Sequence, residues 1–318
     1  MPLGVMFALI AGLMWGLVFV APLLLPQYSA AALSVGRYLA FGALALPLAW
    51  LDRARLGGLT RADWIEATKL SAIGNFLYYL LLAASIQKAG GALPTMLIGT
   101  LPVVIAIASN LRDARRDGRL PWLRLAPSLL LIAAGIALVN HSELVRLHAQ
   151  PVADPNDCAL GALLAIGAVA CWTWYPIRNA DWLRAHSDRS PRSWATAQGV
   201  VTLPLALAGC AAMWATGQFA GGPALGPTPE RFVLLMLAIG LFSSWLGTLC
   251  WNEASQRLPT TIAGQLIVFE SLAALAYVFA LRGELPPAAT AAGIALLIVG
   301  VISAVRIRPE PIAMAAPH

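Results

Sequence analysis

The segment GVMFALIAGLMW, residues 4–15, carries no charged side chain. Similar apolar segments recur along the 318-residue chain, which is 59% hydrophobic and 11% charged and has a mean hydropathy of +0.74. A soluble domain typically has about 25% charged residues. The composition therefore excludes a soluble globular protein and predicts a protein that crosses the membrane several times.

The apolar segments have the length of membrane-spanning helices. A span needs roughly 20 apolar residues, and the segments are continuous rather than alternating as barrel strands are. The chain therefore holds about ten spans joined by short connections. The sequence predicts an all-α integral membrane protein with helices at 3–25, 30–51, 64–87, 92–111, 123–141, 158–177, 193–216, 230–254, 260–281 and 286–307.

The distribution of positive charge predicts which side of the membrane each connection faces. Sixteen of the 21 Lys and Arg residues fall in the connections on one side, four fall in those on the other, and Arg37 lies within a span. The positive-inside rule then places both termini in the cytoplasm of a multi-pass protein in the inner or plasma membrane, surrounded by lipid. Topology thus explains the net charge of +6, and no nucleic-acid partner is predicted.

The segment 4–15 has a counterpart in the second half of the chain, which indicates an internal repeat. It aligns with GALLAIGAVACW at 161–172, and this alignment pairs Trp15 with Trp172. Two further matches follow in the same order at similar offsets: LPLA at 46–49 and 203–206, and AIGNF at 72–76 with AIGLF at 238–242.

The two halves are predicted to be inverted repeats. Each half holds five predicted spans, an odd number, so the second half enters the membrane from the opposite side and a pseudo-two-fold axis in the membrane plane relates the halves. The first five-helix repeat covers 1–145 and the second covers 158–307. A linker on the outer side, periplasmic or extracellular, lies at 146–157, and a cytoplasmic tail covers 308–318.

The chain contains a set of motif residues: Trp15, Trp172, Pro94, Leu101-Pro102, Gly135, Gly300 and Phe269-Glu270-Ser271. In these residues it resembles the EamA-type ten-helix members of the drug/metabolite transporter superfamily. The resemblance implies a bundle in which the first four helices of each half surround a central cavity. It also implies export of amino acids and other small metabolites, by proton-coupled or facilitated transport. In the family a proline usually follows the glutamate of the ninth helix and kinks that helix. Here Ser271 follows Glu270, so the usual cause of the kink is missing.

Two ionisable residues lie well within predicted spans, where a charge is costly and usually functional. Glu270 falls near the middle of helix 260–281, hence near the bilayer midplane, where substrate sites are expected. Desolvation there favours the protonated carboxyl, so Glu270 could load and release a proton; a structural hydrogen bond between helices is the alternative. Arg37, roughly 10 Å deep, could pair with Glu270, attract a substrate carboxylate or extend to the outer interface.

Polar and aromatic residues recur at helical spacing on the third predicted helix, where Asn75, Tyr78 and Tyr79 share one face. The eighth helix repeats the pattern with Ser244 and Trp245. One interpretation is an aromatic cavity suited to amino-acid side chains or planar metabolites, and the other is core packing or an interfacial position. The candidate aromatic set is Trp15, Tyr78, Trp172, Trp174 and Trp245.

Four further polar side chains have simpler expected roles. Gln198 and Gln265 lie within spans, where hydrogen bonding between helices is the default, and Gln265 is also counted among the candidate cavity residues. Glu66 and Lys69, three positions apart near the cytoplasmic surface, are predicted to form a local ion pair.

The sequence predicts a secondary transporter of small molecules that works by alternating access. The alternatives are an integral membrane enzyme acting on a lipid-linked substrate and a membrane sensor or accessory subunit. Such an enzyme would need a cluster of acidic or His residues at one membrane face, and the sequence has none. No cofactor and no metal site is predicted, and no oligomeric state is indicated. The histidines lie in predicted connections or in the tail: His141, His148, His186 and His318.

Overall fold

The computed structural model describes residues 2–25, 27–89, 97–112, 121–147, 155–217, 225–283 and 285–307. Within these ranges the chain forms helices and turns and contains no strand, so the predicted all-α class is confirmed. Six described segments are long and apolar enough to cross a membrane, and two of them, Pro229–Arg257 and Thr260–Leu281, consist of consecutive helices; the count of ten stays a prediction. Large apolar side chains such as Leu123, Leu130 and Leu163 are exposed, and bilayer hydrocarbon accommodates such a surface.

In the first half, polar side chains mark where helices begin. The described helices are α1 (Pro2–Gly16), α2 (Val20–Leu24), α3 (Ala30–Leu51), α4 (Arg53–Leu56), α5 (Arg61–Leu70), α6 (Tyr78–Ala89), α7 (Leu101–Arg112) and α8 (Trp122–Leu147). The Ser29 hydroxyl accepts from the Ala32 N–H at 3.1 Å and caps α3. Thr60 and Asp63 form a reciprocal capping box that starts α5.

In the second half, proline and glycine mark the helix ends. The described helices are α9 (Pro155–Ala185), α10 (Pro191–Ala215), α11 (Pro229–Ile239), α12 (Gly247–Arg257), α13 (Thr260–Leu266), α14 (Val268–Arg282) and α15 (Ala288–Val305). Pro191 and Pro229 open α10 and α11, where a missing N–H costs no helical hydrogen bond. Gly283, in the left-handed conformation at φ 65°, ends α14.

Several predicted boundaries differ from the structure. The helix predicted at 158–177 continues to Ala185, because its last turns carry charged side chains that neighbouring helices bind, a stabilisation that a search for apolar segments does not detect. Helix α8 continues to Leu147, so His141 lies in a helix rather than in a connection. Pro94, His148 and His318 lie outside the described residues, as do the tail and much of the predicted linker.

Two π-helical segments interrupt otherwise α-helical rods. The first π segment, Ser71–Leu77, joins α5 to α6, and the second π segment, Gly240–Leu246, joins α11 to α12. Such segments shift the side chains that follow them around the helix and occur frequently at functional sites. A Cβ on Gly74 would lie 2.3 Å from the Tyr175 ring, so the first π segment packs on α9 with no room for a side chain.

Helices of the two halves pack against each other in exchanged pairs. Helix α1 contacts α12 and α14, and α9 makes the equivalent contacts with α6 and α7. Helix α3 contacts α10, α7 contacts α13, and α8 contacts α15. When the helices of one half are exchanged for those of the other, the contacts of α1 match those of α9, and the α3–α10 and α8–α15 contacts are each reproduced. The interior is therefore built from both halves together.

Candidate functional site

The helical path that carries Glu270 is interrupted. Helix α13 ends at Leu266 and α14 begins at Val268, and the Glu270 N–H donates to the Ile267 carbonyl at 2.9 Å, a bond three rather than four residues long. The helix is interrupted although Ser271, rather than the proline that is usual in the family, follows Glu270. Gly12 of α1 lies against this turn, since a Cβ there would be 3.1 Å from the Glu270 backbone nitrogen.

Arg37 of α3 is directed at the second π segment. Its Nε donates to the Ser244 hydroxyl at 2.9 Å, and its guanidinium lies 5.1 Å from the centroid of the Tyr38 ring. Because Ser244 is buried, the Arg37 side chain turns into the bundle, contrary to the predicted extension to the outer interface.

Glu270 and Arg37 interact at a distance without forming an ion pair. The charge of Arg37 acts on both Glu270 and Tyr78. In the described part of the structure the Glu270 carboxylate makes no ion pair and no side-chain hydrogen bond. The Arg37 and Glu270 side chains are therefore close enough for their charges to interact but make no direct contact. The direct ion pair, which is one of the roles that the sequence leaves open for Arg37, is not formed between these two described residues.

An aromatic cluster adjoins this region. The Trp172 ring stacks on Tyr78 at 4.8 Å and on Tyr175 at 5.1 Å, and meets the Trp15 ring edge-on at 5.6 Å between centroids. Trp251 contacts the other side of Trp15 at 5.3 Å. All five side chains are buried or nearly so. The structure thus brings the predicted residues Trp15, Tyr78 and Trp172 together.

Of the two remaining residues of the predicted aromatic set, Trp174 packs against the apolar cluster that contains Trp15 and Trp172, and Trp245 lies elsewhere. Trp245 packs with Tyr38 and Phe41 in a separate apolar cluster, and its indole N–H donates to the Thr196 hydroxyl at 3.1 Å. Tyr79 packs against both clusters. Asn75 contributes its backbone carbonyl, which accepts from the Tyr38 hydroxyl at 3.3 Å. The proposed five-residue aromatic cavity is therefore divided into two parts.

The two glutamines within spans have opposite surroundings. Gln198 accepts from the Tyr175 hydroxyl at 2.9 Å and donates to Asn179 Oδ1 at 3.2 Å. Asn179 also accepts from the Trp194 indole at 2.8 Å and donates to Asn252 at 2.8 Å. This buried polar network joins α9, α10 and α12.

Gln265 has no such network around it. The side chain is completely buried, and neither its amide nitrogen nor its amide oxygen meets a partner among the described residues. The expected hydrogen bond between helices is therefore made by Gln198 but not by Gln265.

The last two turns of α9 bind three other helices. Arg178 donates to Glu66 of α5 at 2.5 Å, Asp181 accepts from Arg112 of α7 at 2.5 and 3.2 Å, and Arg184 donates to the Thr260 hydroxyl of α13 at 2.9 Å. The predicted partner Lys69 lies farther from Glu66, at 3.8 Å. We name these contacts the α9 end cluster; the charge distribution predicts that it faces the cytoplasm.

Asp63 extends the α9 end cluster toward the start of α5. Its carboxylate accepts from the Trp182 indole at 2.8 Å and from the Thr60 N–H at 2.8 Å, and His186 Nε2 lies 3.7 Å away. Burial raises the pKa of Asp63, but the hydrogen bonds from Thr60 and Trp182 outweigh burial and lower that pKa below its ordinary value. The charged form of Asp63 therefore stabilises the closed contact between α5 and α9.

Sequence reasoning missed Tyr175, Trp251 and the whole α9 end cluster. The spacing of Arg178, Asp181 and Trp182, three and four positions apart, is the signal of one helical face that could have found the cluster. It was missed because the predicted helix ended at residue 177.

The chain is similar to known membrane proteins. A profile of the EamA-like transporter family matches residues 2–140. "Inner membrane protein YtfF" of Escherichia coli (strain K12) is 52% identical over 310 residues, which are 96% of each chain. A solved crystal structure superposes with a TM-score of 0.72 over 95% of this chain and 96% of the other; at 15% identity this likeness shows the fold alone.

Proposed function

The chain belongs to the EamA-type family of the drug/metabolite transporter superfamily, and from this premise we propose that it is a secondary transporter of small metabolites, amino acids and related compounds first among them. It is a multi-pass membrane protein, and its substrates are small molecules that reach it from water or lipid. Transport proceeds by alternating access, in the direction of export. Family membership favours transport over the membrane-enzyme alternative.

The observation that carries this proposal is the separation of two opposite charges beside aromatic rings. An amino acid presents a carboxylate that suits the Arg37 guanidinium and an ammonium group that suits the Glu270 carboxylate. Glu270 lies at the interruption between α13 and α14, and interrupted helices near the midplane commonly form transporter binding sites. The Tyr78 and Trp172 rings offer an adjoining surface for an apolar or planar side chain.

Proton coupling is proposed to act through the same carboxyl group. When Glu270 is protonated it no longer attracts an ammonium group, so a proton and a substrate compete for one site. Such competition exchanges a proton for a substrate across the membrane. Partial burial of Glu270 without a protein partner leaves the carboxyl free for either occupant.

The exchanged helix contacts support the proposed architecture of ten spans in two inverted repeats. The two π segments occupy similar positions, since the first joins α5 to α6 in the first half and the second joins α11 to α12 in the second half. A turn at residues 99–100 before α7 corresponds to the interruption before α14. We place the repeats at 1–145 and 158–307, as the sequence predicts.

The proposed orientation puts both termini in the cytoplasm of a cell membrane. The asymmetry of Lys and Arg supports it, and the similar Escherichia coli protein is described as an inner membrane protein. In this orientation the α9 end cluster closes the cytoplasmic end of the bundle.

The proposal is tested with purified protein in liposomes. We expect flux of some of a panel of labelled amino acids and related metabolites, and faster flux when a pH gradient is imposed. Glu270→Gln should abolish the response to the gradient. Glu253→Gln is the matched control, because Glu253 pairs with Arg257 at the end of α12. Absence of flux for every compound would refute transport, and a gradient response that survives in E270Q would refute the coupling role.

A further inference from the structure

Gln265 is a polar side chain whose place in the core is unexplained by packing. Every residue of α13 is buried, and Gln265 has no solvent exposure at all. Its amide could make several hydrogen bonds, and the described residues provide none. Because a buried polar group without a partner destabilises a fold, a leucine of similar size would serve packing better.

The position of Gln265 relates it to the proposed site. It lies two residues before the interruption at Ile267, and Glu270 lies three residues after it. Five residues correspond to about 7.5 Å along a helix axis. Gln265 therefore lies between Glu270 and the end of the bundle that the α9 end cluster closes.

Other polar side chains without partners lie on helices that pack against α13. Thr173 Oγ1 on α9, and the Trp251 indole nitrogen and Ser255 Oγ on α12, are buried and make no hydrogen bond to the described residues. Both helices contact α13. The Trp251 ring also touches Trp15 of the aromatic cluster. Helix α13 and two helices that contact it thus each carry a buried group with unused hydrogen-bonding capacity.

We propose that Gln265 is a substrate-binding residue, whose amide binds the transported molecule on the cytoplasmic side of Glu270. This inference rests on the proposed transport function. The amide presents a donor and an acceptor side by side, so it selects a ligand with an acceptor and a donor close together. An amino acid, with its carboxylate beside its ammonium group, has that pattern; a hydrocarbon or a simple cation does not.

The test compares two leucine substitutions at buried glutamines. Gln265→Leu removes an amide without protein partners, whereas Gln198→Leu removes one bonded to Tyr175 and Asn179. We expect Q265L to melt about 2 °C or more above the wild type and Q198L to melt below it. In liposomes, influx of a radiolabelled mixture of the common L-amino acids should fall about tenfold or more in Q265L, because a hydrogen bond to a charged ligand group is lost.

Each contrary result has a distinct meaning. Wild-type flux that Q265L retains would overturn the binding role of Gln265 and leave transport standing. A lower melting temperature for Q265L would also overturn it, because the amide would then have a structural partner. Absence of flux in the wild type would refute the proposed function, and the assignment of Gln265 would fall with it.

Discussion

Replacement of Glu66 by glutamine is expected to open the cytoplasmic end of the bundle more often. Glu66 is 7% exposed, but the Arg178 side chain is 46% exposed, so solvent screens the pair. The Glu66–Arg178 pair therefore stabilises the closed cytoplasmic end by about 1 kcal/mol, rather than by the several kcal/mol at stake when a fully buried pair is broken. A loss of about 1 kcal/mol changes a two-state population ratio about fivefold.

Two native cysteines measure this opening. Cys171 and Cys250 are buried in the same apolar cluster as Trp15, so a maleimide reaches them when the bundle opens. In inside-out vesicles, a membrane-impermeant maleimide should label E66Q about fivefold faster than the wild type. Labelling at the wild-type rate would refute the reasoning that the α9 end cluster holds this end closed.

A matched control exists at the opposite end of the same two elements, the α5–α6 rod and helix α9. Lys88 of α6 pairs with Asp157 of α9 at 3.0 Å, with both side chains about half exposed. Lys88→Met should loosen the opposite end and leave labelling from the cytoplasmic side no faster. An equal increase in K88M and E66Q would mean that general loosening, rather than opening at one end, explains the result.

Three further predictions concern stability and follow from single contacts. N179L removes three hydrogen bonds, and at about 0.6–1.7 kcal/mol each in a membrane protein it should lower the unfolding free energy by about 2–5 kcal/mol, measured by denaturant titration in detergent. D63N should lower the melting temperature at neutral pH. Because folding lowers the pKa of Asp63, the difference in melting temperature between the wild type and D63N should shrink as the pH falls below about 4. A difference that stays constant with pH would contradict the argument. G74A should cost about 1–3 kcal/mol, since its Cβ would lie 2.3 Å from the Tyr175 ring, whereas G167A, whose nearest neighbour is a leucine methyl group at 3.1 Å, should cost less.

Some of the candidate site was within reach of sequence reasoning. Trp15 and Trp172 drew attention as equivalent positions of a repeat, and the structure places their rings in contact. Glu270 drew attention because a carboxyl group in an apolar helix is costly, which is a property of the residue and its neighbours in sequence. Trp245 belongs to the polar and aromatic pattern that the eighth predicted helix shares with the third, yet it packs in a different cluster. Helical spacing identifies which residues share a face but not what that face contacts.

The sequence by itself determined the membrane class, the all-α character and the family. The membrane class and the all-α character follow from the cost of moving each side chain from water into lipid, a quantity that is summed residue by residue along the chain. The family was reached through a resemblance in motif residues such as Trp15, Trp172 and Glu270. Only the tertiary structure decided that Glu66 binds Arg178, 112 positions away, rather than Lys69 alone. Likewise, only the tertiary structure distinguished Gln198, whose amide oxygen and nitrogen both make hydrogen bonds, from Gln265, whose amide makes none. Hydrogen bonds and ion pairs depend on distances between helices, and those distances are set by how the two halves pack together.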